Sequence, residues 1–364
     1  MDHLGRQQRL QESLSTHRLD ALLITHPANV RYLCGFTGSS GALLLSGGKR
    51  LFITDGRYTE QARSEVRSAR IVIARQGLLA AAAAWLSAQP KKGRRASSKV
   101  GIEGEHMTVA ARSMLLGVLP SNVRLRQAPP LVERARMLKD EDEIACLRSA
   151  VRLGAGLFDR ALEVIRTGVR ETEVAAEMEY AARQAGAQAM SFETIIASGE
   201  RSALPHGRAS QAAIPAEGFV VCDFGVILSG YCSDMTRTVY VGRPSAEARG
   251  VYQAVKQAQQ AAVDAVRPGI SVAEVDRAAR KSLQKSGLAK YFTHSTGHGV
   301  GLEIHEAPRV AAGQTEILEP GMVITIEPGV YVPGKWGVRI EDMVVVTERG
   351  CDVLTPTSKE LVTI

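Results

Sequence analysis

Four carboxylates in the second half of the chain, Asp223, Asp234, Glu327 and Glu341, lie on apolar runs where a charge has no ready partner. Asp223 belongs to GFVVCDFG and Glu327 to GMVITIEPG, each acid two residues before a glycine. A turn and a second acid-bearing run follow each of them, YCSDMTRTVYV with Asp234 and GVRIEDMVVV with Glu341. Asp223 and Asp234 are equidistant from a point between Leu228 and Ser229, and Glu327 and Glu341 are equidistant from Gly334. If each hairpin pairs symmetrically, both acid pairs stand directly opposite, with Cβ atoms about 4.5–5.5 Å apart. Like charges so placed destabilise a sheet, and a buried unpaired carboxylate costs on the order of several kcal/mol. A single acid of this kind reads most simply as a salt-bridged or surface group. Four at matched places call for compensation, which two divalent cations would supply.

The stretch THSTGHGVGLEIHEAP offers imidazoles. His294 and His298 have the four-residue spacing of a helical zinc motif, but Gly297, Gly299 and Gly301 oppose a helix and suggest backbone packed close to a bound group. That leaves one histidine as a ligand and others for substrate. Oxygen donors with one imidazole favour manganese, cobalt or iron(II) over a thiolate-type zinc site. With no cysteine at these positions, a structural zinc cage is excluded.

These side chains need a scaffold that repeats. RTGVRETEV, from Arg166, aligns with RPGISVAEV, from Arg267, at an offset of 101 residues. Ser271 and Glu274 have capping-box spacing, so both copies are expected to open a helix. An acid-bearing hairpin follows each copy, which predicts a pseudo-twofold pair whose acids face one another. Upstream, RARMLKDEDEIACLRSA marks a domain boundary. There Asp140 or a neighbouring acid opens a long helix with Ile144, Leu147, Val151, Ala155, Phe158, Leu162 and Ile165 at helical spacing. In the first half RLQESLSTHRL reads as helix, DALLITH as a buried strand, GALLLSG and KRLFITD as short apolar runs, and a helix starts near Thr59. Strands alternating with helices predict an α/β domain with a parallel or mixed sheet.

The 364 residues fit two domains, and 45% apolar with 23% charged residues is ordinary globular usage. The charged opening MDHLGRQQRLQESL has no secretory core, and the apolar run Leu78 to Leu86 is too short to span a bilayer. Five scattered cysteines, Cys34, Cys146, Cys222, Cys232 and Cys351, are expected as reduced thiols, and a cytoplasmic location with no membrane contact follows. Residues 1–136 carry 21 Lys and Arg against 9 Asp and Glu, whereas residues 137–364 carry 24 against 29. The basic residues of the first half are dispersed, and the dense cluster Lys91, Lys92, Arg94 and Arg95 sits in a Pro/Gly/Ser-rich stretch. This charge reads as solvated surface, with no nucleic acid as partner.

VVCDFG with YCSDMTRT, THSTGHGVGLEIHEAP, MVITIEPGVY and GVRIED together resemble the pita-bread metallopeptidases, specifically the Xaa-Pro aminopeptidases and prolidases. SFETIIASGERSALPHG resembles their substrate-binding stretch, and DALLITHPANVRYLCGFTGSSG with FITDGRYTEQA their creatinase-type N-terminal domain. The resemblance implies an α/β (α+β) chain, with a creatinase-like α/β domain over residues 1–128 and a pita-bread catalytic domain with a pseudo-twofold repeat over residues 137–364. It implies that Asp223 binds one divalent metal, that His298 and Glu327 bind a second, and that Asp234 and Glu341 bridge both. Manganese is the expected ion, with cobalt, iron(II) or zinc as alternatives. By the same resemblance His206 and His305 contact the scissile carbonyl and the tetrahedral intermediate, Arg339 supports the site, and Glu327 moves a proton to the departing proline nitrogen. A proline-containing peptide substrate and a homodimer are also implied.

FTGSSG and the chain length favour an Xaa-Pro aminopeptidase, with an Xaa-Pro dipeptidase (prolidase) as the alternative. A methionine aminopeptidase would share the metal set but not this N-terminal domain. A non-catalytic peptide-binding module on the same fold would lack some of the five ligand positions, and here all five are filled. Gly38-Ser39-Ser40-Gly41 lacks the spacing of a serine-hydrolase nucleophile loop.

Overall fold

Short apolar runs in the first third of the chain become strands β1 (Ala21–Ile24), β2 (Gly41–Ser46), β3 (Lys49–Asp55), β4 (Arg70–Ala74), β5 (Ser98–Glu103) and β6 (Val123–Ala128). They form one sheet in the order β4-β3-β2-β1-β5-β6 in a computed structural model that describes residues 1–88 and 98–364. The basic cluster Lys91, Lys92, Arg94 and Arg95 lies outside the described residues. The sheet is mixed: β1 with β2 and β2 with β3 are antiparallel, and β3 with β4, β1 with β5 and β5 with β6 are parallel. All four residues of β1 are buried, which is why ALLI shows no alternation. Helices α1 (His3–Thr16), α2 (Pro27–Cys34), α3 (Thr59–Glu65), α4 (Leu78–Ser87), α5 (Val109–Val118) and α6 (Leu131–Met137) complete this part, and α4 and α5 pack Ala82, Leu86 and Leu115 against Leu23, Leu44 and Ile53. It forms one unit, Met1–Arg136, and the rest of the chain, Met137–Ile364, forms another.

In the second unit α7 (Glu141–Val164) opens where the acids foretold. Asp140 caps it, accepting from Glu143 N at 2.9 Å, while the Glu143 carboxylate accepts from Asp140 N at 3.1 Å. The repeat is visible in the backbone. α8 (Glu171–Gln184) and α10 (Val272–Lys285) each have 14 residues and begin and end 101 positions apart, with α9 (Ala246–Ala265) between them. Gly168 and Gly269, at matched positions ahead of these helices, take φ of 84° and 85°, a region that favours glycine. The Ser271 capping box does not form: its side chain makes no cap bond, and the Glu274 amide that it would have met donates to Ser271 O at 3.0 Å, while Val272 N donates to Glu316 O at 3.0 Å.

Strands β7 (Ala189–Met190), β8 (Ile195–Ser198), β9 (Gly218–Phe224), β10 (Val226–Leu228), β11 (Tyr231–Cys232) and β12 (Met235–Val241) belong to the first repeat. The second contains β13 (Gly297–Gly299), β14 (Glu306–Val310), β15 (Val323–Ile326), β16 (Gly329–Val332), β17 (Trp336–Arg339), β18 (Asp342–Val346) and β19 (Cys351–Val353). Hairpin symmetry holds in one copy and not in the other. Val323↔Val345 and Gly329↔Arg339 share one register centred on Gly334, so Glu327 and Glu341 face each other in the gap between two ladders. In the first copy Thr236 pairs with Asp223 and Leu228 with Tyr231, so the turn is Ser229-Gly230 and the centre shifts by one residue. Asp223 and Asp234 are therefore diagonal on one face rather than directly opposite. The cause is turn chemistry, since Ser229 and Gly230 both take positive φ, 52° and 83°, as a two-residue hairpin turn requires.

Arg237, at 1% exposure the largest fully buried side chain, ties this framework together. Its guanidinium reaches Asp342 Oδ1 at 2.7 Å, Thr236 O at 2.9 Å, Thr357 O at 2.7 Å and Ser358 O at 2.9 Å, joining β12 to β18 and to the C-terminal segment. None of the five cysteines forms a disulfide. Among the described residues no helix is long and apolar enough to cross a membrane. Replacing Arg237 with Met should cost about 3 kcal/mol, because it leaves several acceptors and part of the Asp342 charge unpaired in the core. Urea denaturation would measure this, and a loss under about 1 kcal/mol would mean that the buried pair is not a major support.

Candidate active site

Asp223 stands near the end of β9, Asp234 just before β12, His298 in the middle of β13, and Glu327 and Glu341 in the gap that interrupts the second hairpin. Glu327 and Glu341 turn inward with no ladder partner beside them, whereas Asp223 pairs with Thr236 and His298 with Arg309. The ligand atoms of Asp234, His298 and Glu341 lie within 4.8 Å of one another. His298 Nε2 is 3.6 Å from Asp234 Oδ2 and 3.4 Å from Glu327 Oε1. The fifth residue, Asp223, lines the same cleft but is ion-paired through Oδ2 to the Arg339 guanidinium, while its Oδ1 is buried without a hydrogen-bond partner.

Crowding and burial show in the acidities. Burial, then the neighbouring Glu341, Asp223 and Glu327, holds the Asp234 carboxyl well above the usual range, and burial with Glu327 and Asp223 does the same to Glu341. Burial pushes Glu327 up to about 7, with Arg339 opposing and Asp223 adding to the shift. Thr236 Oγ1 donates to Glu341 at 2.7 Å and Thr325 Oγ1 to Glu327 at 3.2 Å, fixing which oxygen faces inward. His298 is kept neutral by burial, and its Nδ1 lies 3.0 Å from Gly299 O. The tautomer protonated at Nδ1 turns the Nε2 lone pair toward the acids. Carboxylate oxygens, a neutral imidazole, an orphaned buried oxygen and acids that resist ionising without positive charge make a donor set fit for hard divalent cations.

His294 does not join the cluster, because Nε2 is held by Tyr331 OH at 3.0 Å and Nδ1 by Ser295 O at 2.8 Å. Gly297 and Gly299 lie in a strand, not a helix, and a Cβ on either would overlap neighbouring backbone, the carbonyls of Thr325 and Ala307. His206 and His305 are exposed in the cleft, and the His305 ring is 4.5 Å from that of His298. The loop that carries His206 is pinned by wholly buried Glu171 on α8, which accepts from Ser198 N at 2.8 Å, Arg201 Nε at 3.0 Å and Ser210 Oγ at 2.7 Å. Arg339 is buried and donates to Pro205 O at 3.0 Å, Thr236 Oγ1 at 3.0 Å and Tyr331 OH at 2.6 Å.

Sequence reasoning missed several of these residues: Tyr331, Thr236, Thr325, Glu171 and Arg309. Arg309 sits on β14 opposite His298 and lines the cleft, exposed and with no ion pair among the described residues. Its register depends on a bulge between His298 and Gly299, which no residue pattern announces. The cleft measures about 640 Å3, and Phe192, Ile195 and Ile304 give it an apolar wall.

A duplicated helix-and-hairpin unit closing on a nest of carboxylates and one imidazole defines a metal-dependent hydrolase with the pita-bread fold. Residues 145–348 match the metallopeptidase family M24 and residues 6–138 the creatinase/prolidase N-terminal domain, and the chain belongs to that metallopeptidase family. Among solved structures it is similar to an Xaa-Pro dipeptidase from Bacillus anthracis, 38% identical with a TM-score of 0.94 over 100% of both chains. An X-Pro aminopeptidase from Thermotoga maritima is 34% identical, with a TM-score of 0.89 over 99% of this chain and 100% of that one. The Xaa-Pro dipeptidase of Pyrococcus furiosus is 36% identical over 359 residues, 98% of this chain and 99% of that protein.

Carboxyls with raised pKa values set the sign of a pH effect. Glu327, at about 7 when folded and free of metal, stabilises the fold fully below the unfolded value near 4.5, and that stability is lost as pH rises through 7. Metal-free protein should therefore resist urea better at pH 5 than at pH 8. With manganese present the order should reverse, because cations need deprotonated ligands. Identical urea midpoints at both pH values in chelator would contradict the crowding described here.

Proposed function

We propose that the protein is an Xaa-Pro dipeptidase whose Asp223, Asp234, His298, Glu327 and Glu341 hold two divalent cations. The aminopeptidase expectation drawn from FTGSSG and chain length gives way, because two of the three relatives above are described as Xaa-Pro dipeptidases. Arg309 carries the choice physically. It is an exposed cation across the strand from His298, suited to receive the free carboxylate of a two-residue substrate by a charge-assisted bidentate contact. A third residue would neutralise that carboxylate as an amide and leave Arg309 without its partner.

When bound, the cations supply Lewis acidity toward the scissile carbonyl and make water nucleophilic at neutral pH. The chain's own residues do the rest. His206 and His305, exposed at the edges of the cleft, hold the carbonyl oxygen as it gains charge. Glu327, the carboxylate that lines the cleft beside His298, carries the proton to the proline nitrogen, which has no hydrogen of its own until the bond breaks. Phe192, Ile195 and Ile304 give the pyrrolidine ring an apolar wall without asking it for a donor. Manganese suits the oxygen-rich donor set, with cobalt, iron(II) and zinc as alternatives to be compared on the metal-free protein.

Xaa-Pro dipeptides should be cleaved with kcat/KM at least ~10-fold above matched Xaa-Pro-Yaa tripeptides, the worth of one charge-assisted contact. Equal turnover of both lengths would sink the dipeptidase reading. Arg309→Met should raise KM for the dipeptide by about 10- to 100-fold and leave the C-terminal amide of the same dipeptide unaffected. Glu327→Ala should lose bound metal and turnover together, as read by elemental analysis beside the assay.

A further inference from the structure

Behind the histidine-bearing wall of the cleft, a buried acid and an arginine on α10 grip a segment that has no secondary structure of its own. Residues 292–296 belong to no helix or strand, so their carbonyls must find donors elsewhere. Arg280 supplies two of them, Nη1 donating to Phe292 O at 3.0 Å and Nη2 to His294 O at 2.6 Å. Its guanidinium also lies 4.3 Å from the centre of the Phe292 ring. Its third face is fixed by Asp276, one turn earlier on the helix and 1% exposed, through Nε at 2.8 Å. The other Asp276 oxygen accepts from Thr296 Oγ1 at 2.8 Å, so the pair holds both ends of the segment.

What hangs on that segment is the site. Thr296 O accepts the Glu327 backbone amide at 2.8 Å, and His298 follows two residues later. His294 braces Tyr331, which meets Arg339. We infer that Arg280, held by Asp276, is a positioning residue that sets where His298 and Glu327 stand, and through them the geometry of the cation pocket. The inference rests on the proposal that His298 and Glu327 are cation ligands. Arginine is needed because only a planar fork serves two carbonyls and a carboxylate at once, whereas a lysine ammonium at that distance keeps the acid and forfeits the carbonyls. Arg280 does not line the substrate cleft. Its side chain is 33% exposed at a separate surface hollow of about 450 Å3, shared with Arg277, Lys281 and Gln284, so small solutes can reach it.

The test compares Arg280→Lys and Arg280→Ala with the wild type in the manganese-loaded full chain, reading kcat, KM, manganese affinity by calorimetry and the thermal melt. Arg280→Lys is expected to stay folded with kcat and manganese affinity each about 10- to 100-fold lower and KM little changed. Arg280→Ala should fall at least as far, and millimolar guanidinium should restore part of its kcat where equal sodium chloride or urea does not. Wild-type kcat and manganese affinity in both variants would overturn the inference. So would a loss that matches the unfolded fraction and shows no recovery in guanidinium. His298→Ala is run alongside: if it retains manganese affinity and turnover, the ligand assignment itself fails, whatever the Arg280 variants do.

Discussion

Asp234, Glu327 and Glu341 gather, largely buried, at the floor of one cleft, and each charge makes the next harder to form. Two responses to that pressure shape the catalytic unit. Arg339 sits fully buried beside Asp223 and offsets one acid permanently. Threonine hydroxyls at 236 and 325 donate to the carboxylates and orient them. What is left uncompensated is the binding energy available for a divalent cation, so repulsion in the metal-free chain and affinity for metal are two readings of one arrangement. Apolar packing alone would favour neutral side chains at every one of these positions.

Secondary structure positions these groups by interruption more than by regularity. Glu327 and Glu341 face each other because the ladder β15–β18 stops at Ile326↔Asp342 and the ladder β16–β17 resumes at Gly329↔Arg339. His298 sits on a strand of three residues with a bulge beside it. The rigid parts lie just outside: α10 clamps residues 292–296, Glu171 clamps the His206 loop, and Arg237 locks β12 to β18. Loose strand ends are thus held from behind by buried charge pairs, which lets the front of the cleft stay open to a peptide.

Much of this was legible in the residues, and the exceptions have identifiable causes. Symmetry about Gly334 gave the second acid pair its true register, because a three-residue Pro-Gly-Lys turn has one natural centre. The same reasoning misplaced the first hairpin by one residue, since Ser229 can take positive φ beside Gly230 and a serine does not advertise it. The offset of 101 survived down to the ends of two helices, while the side-chain cap expected of Ser271 does not form, because its backbone carbonyl already takes the Glu274 amide. Arg309 and Arg280 were invisible for a related reason. Each acts across a gap of at least ten residues, and nothing in local spacing reports such a contact.

The duplicated architecture has a consequence for the order of events in folding. Cluster residues run from position 223 to position 341, with two of the five in the first half of the repeat and three in the second. Neither half alone presents a complete nest of donors. With the five proposed ligands divided in this way, a cation would find its full complement only after the halves have docked, late along the route, and its binding should slow the escape from the native state far more than it hastens arrival there. For such a chain, metal supply would govern how long a finished molecule lasts rather than how quickly one is made.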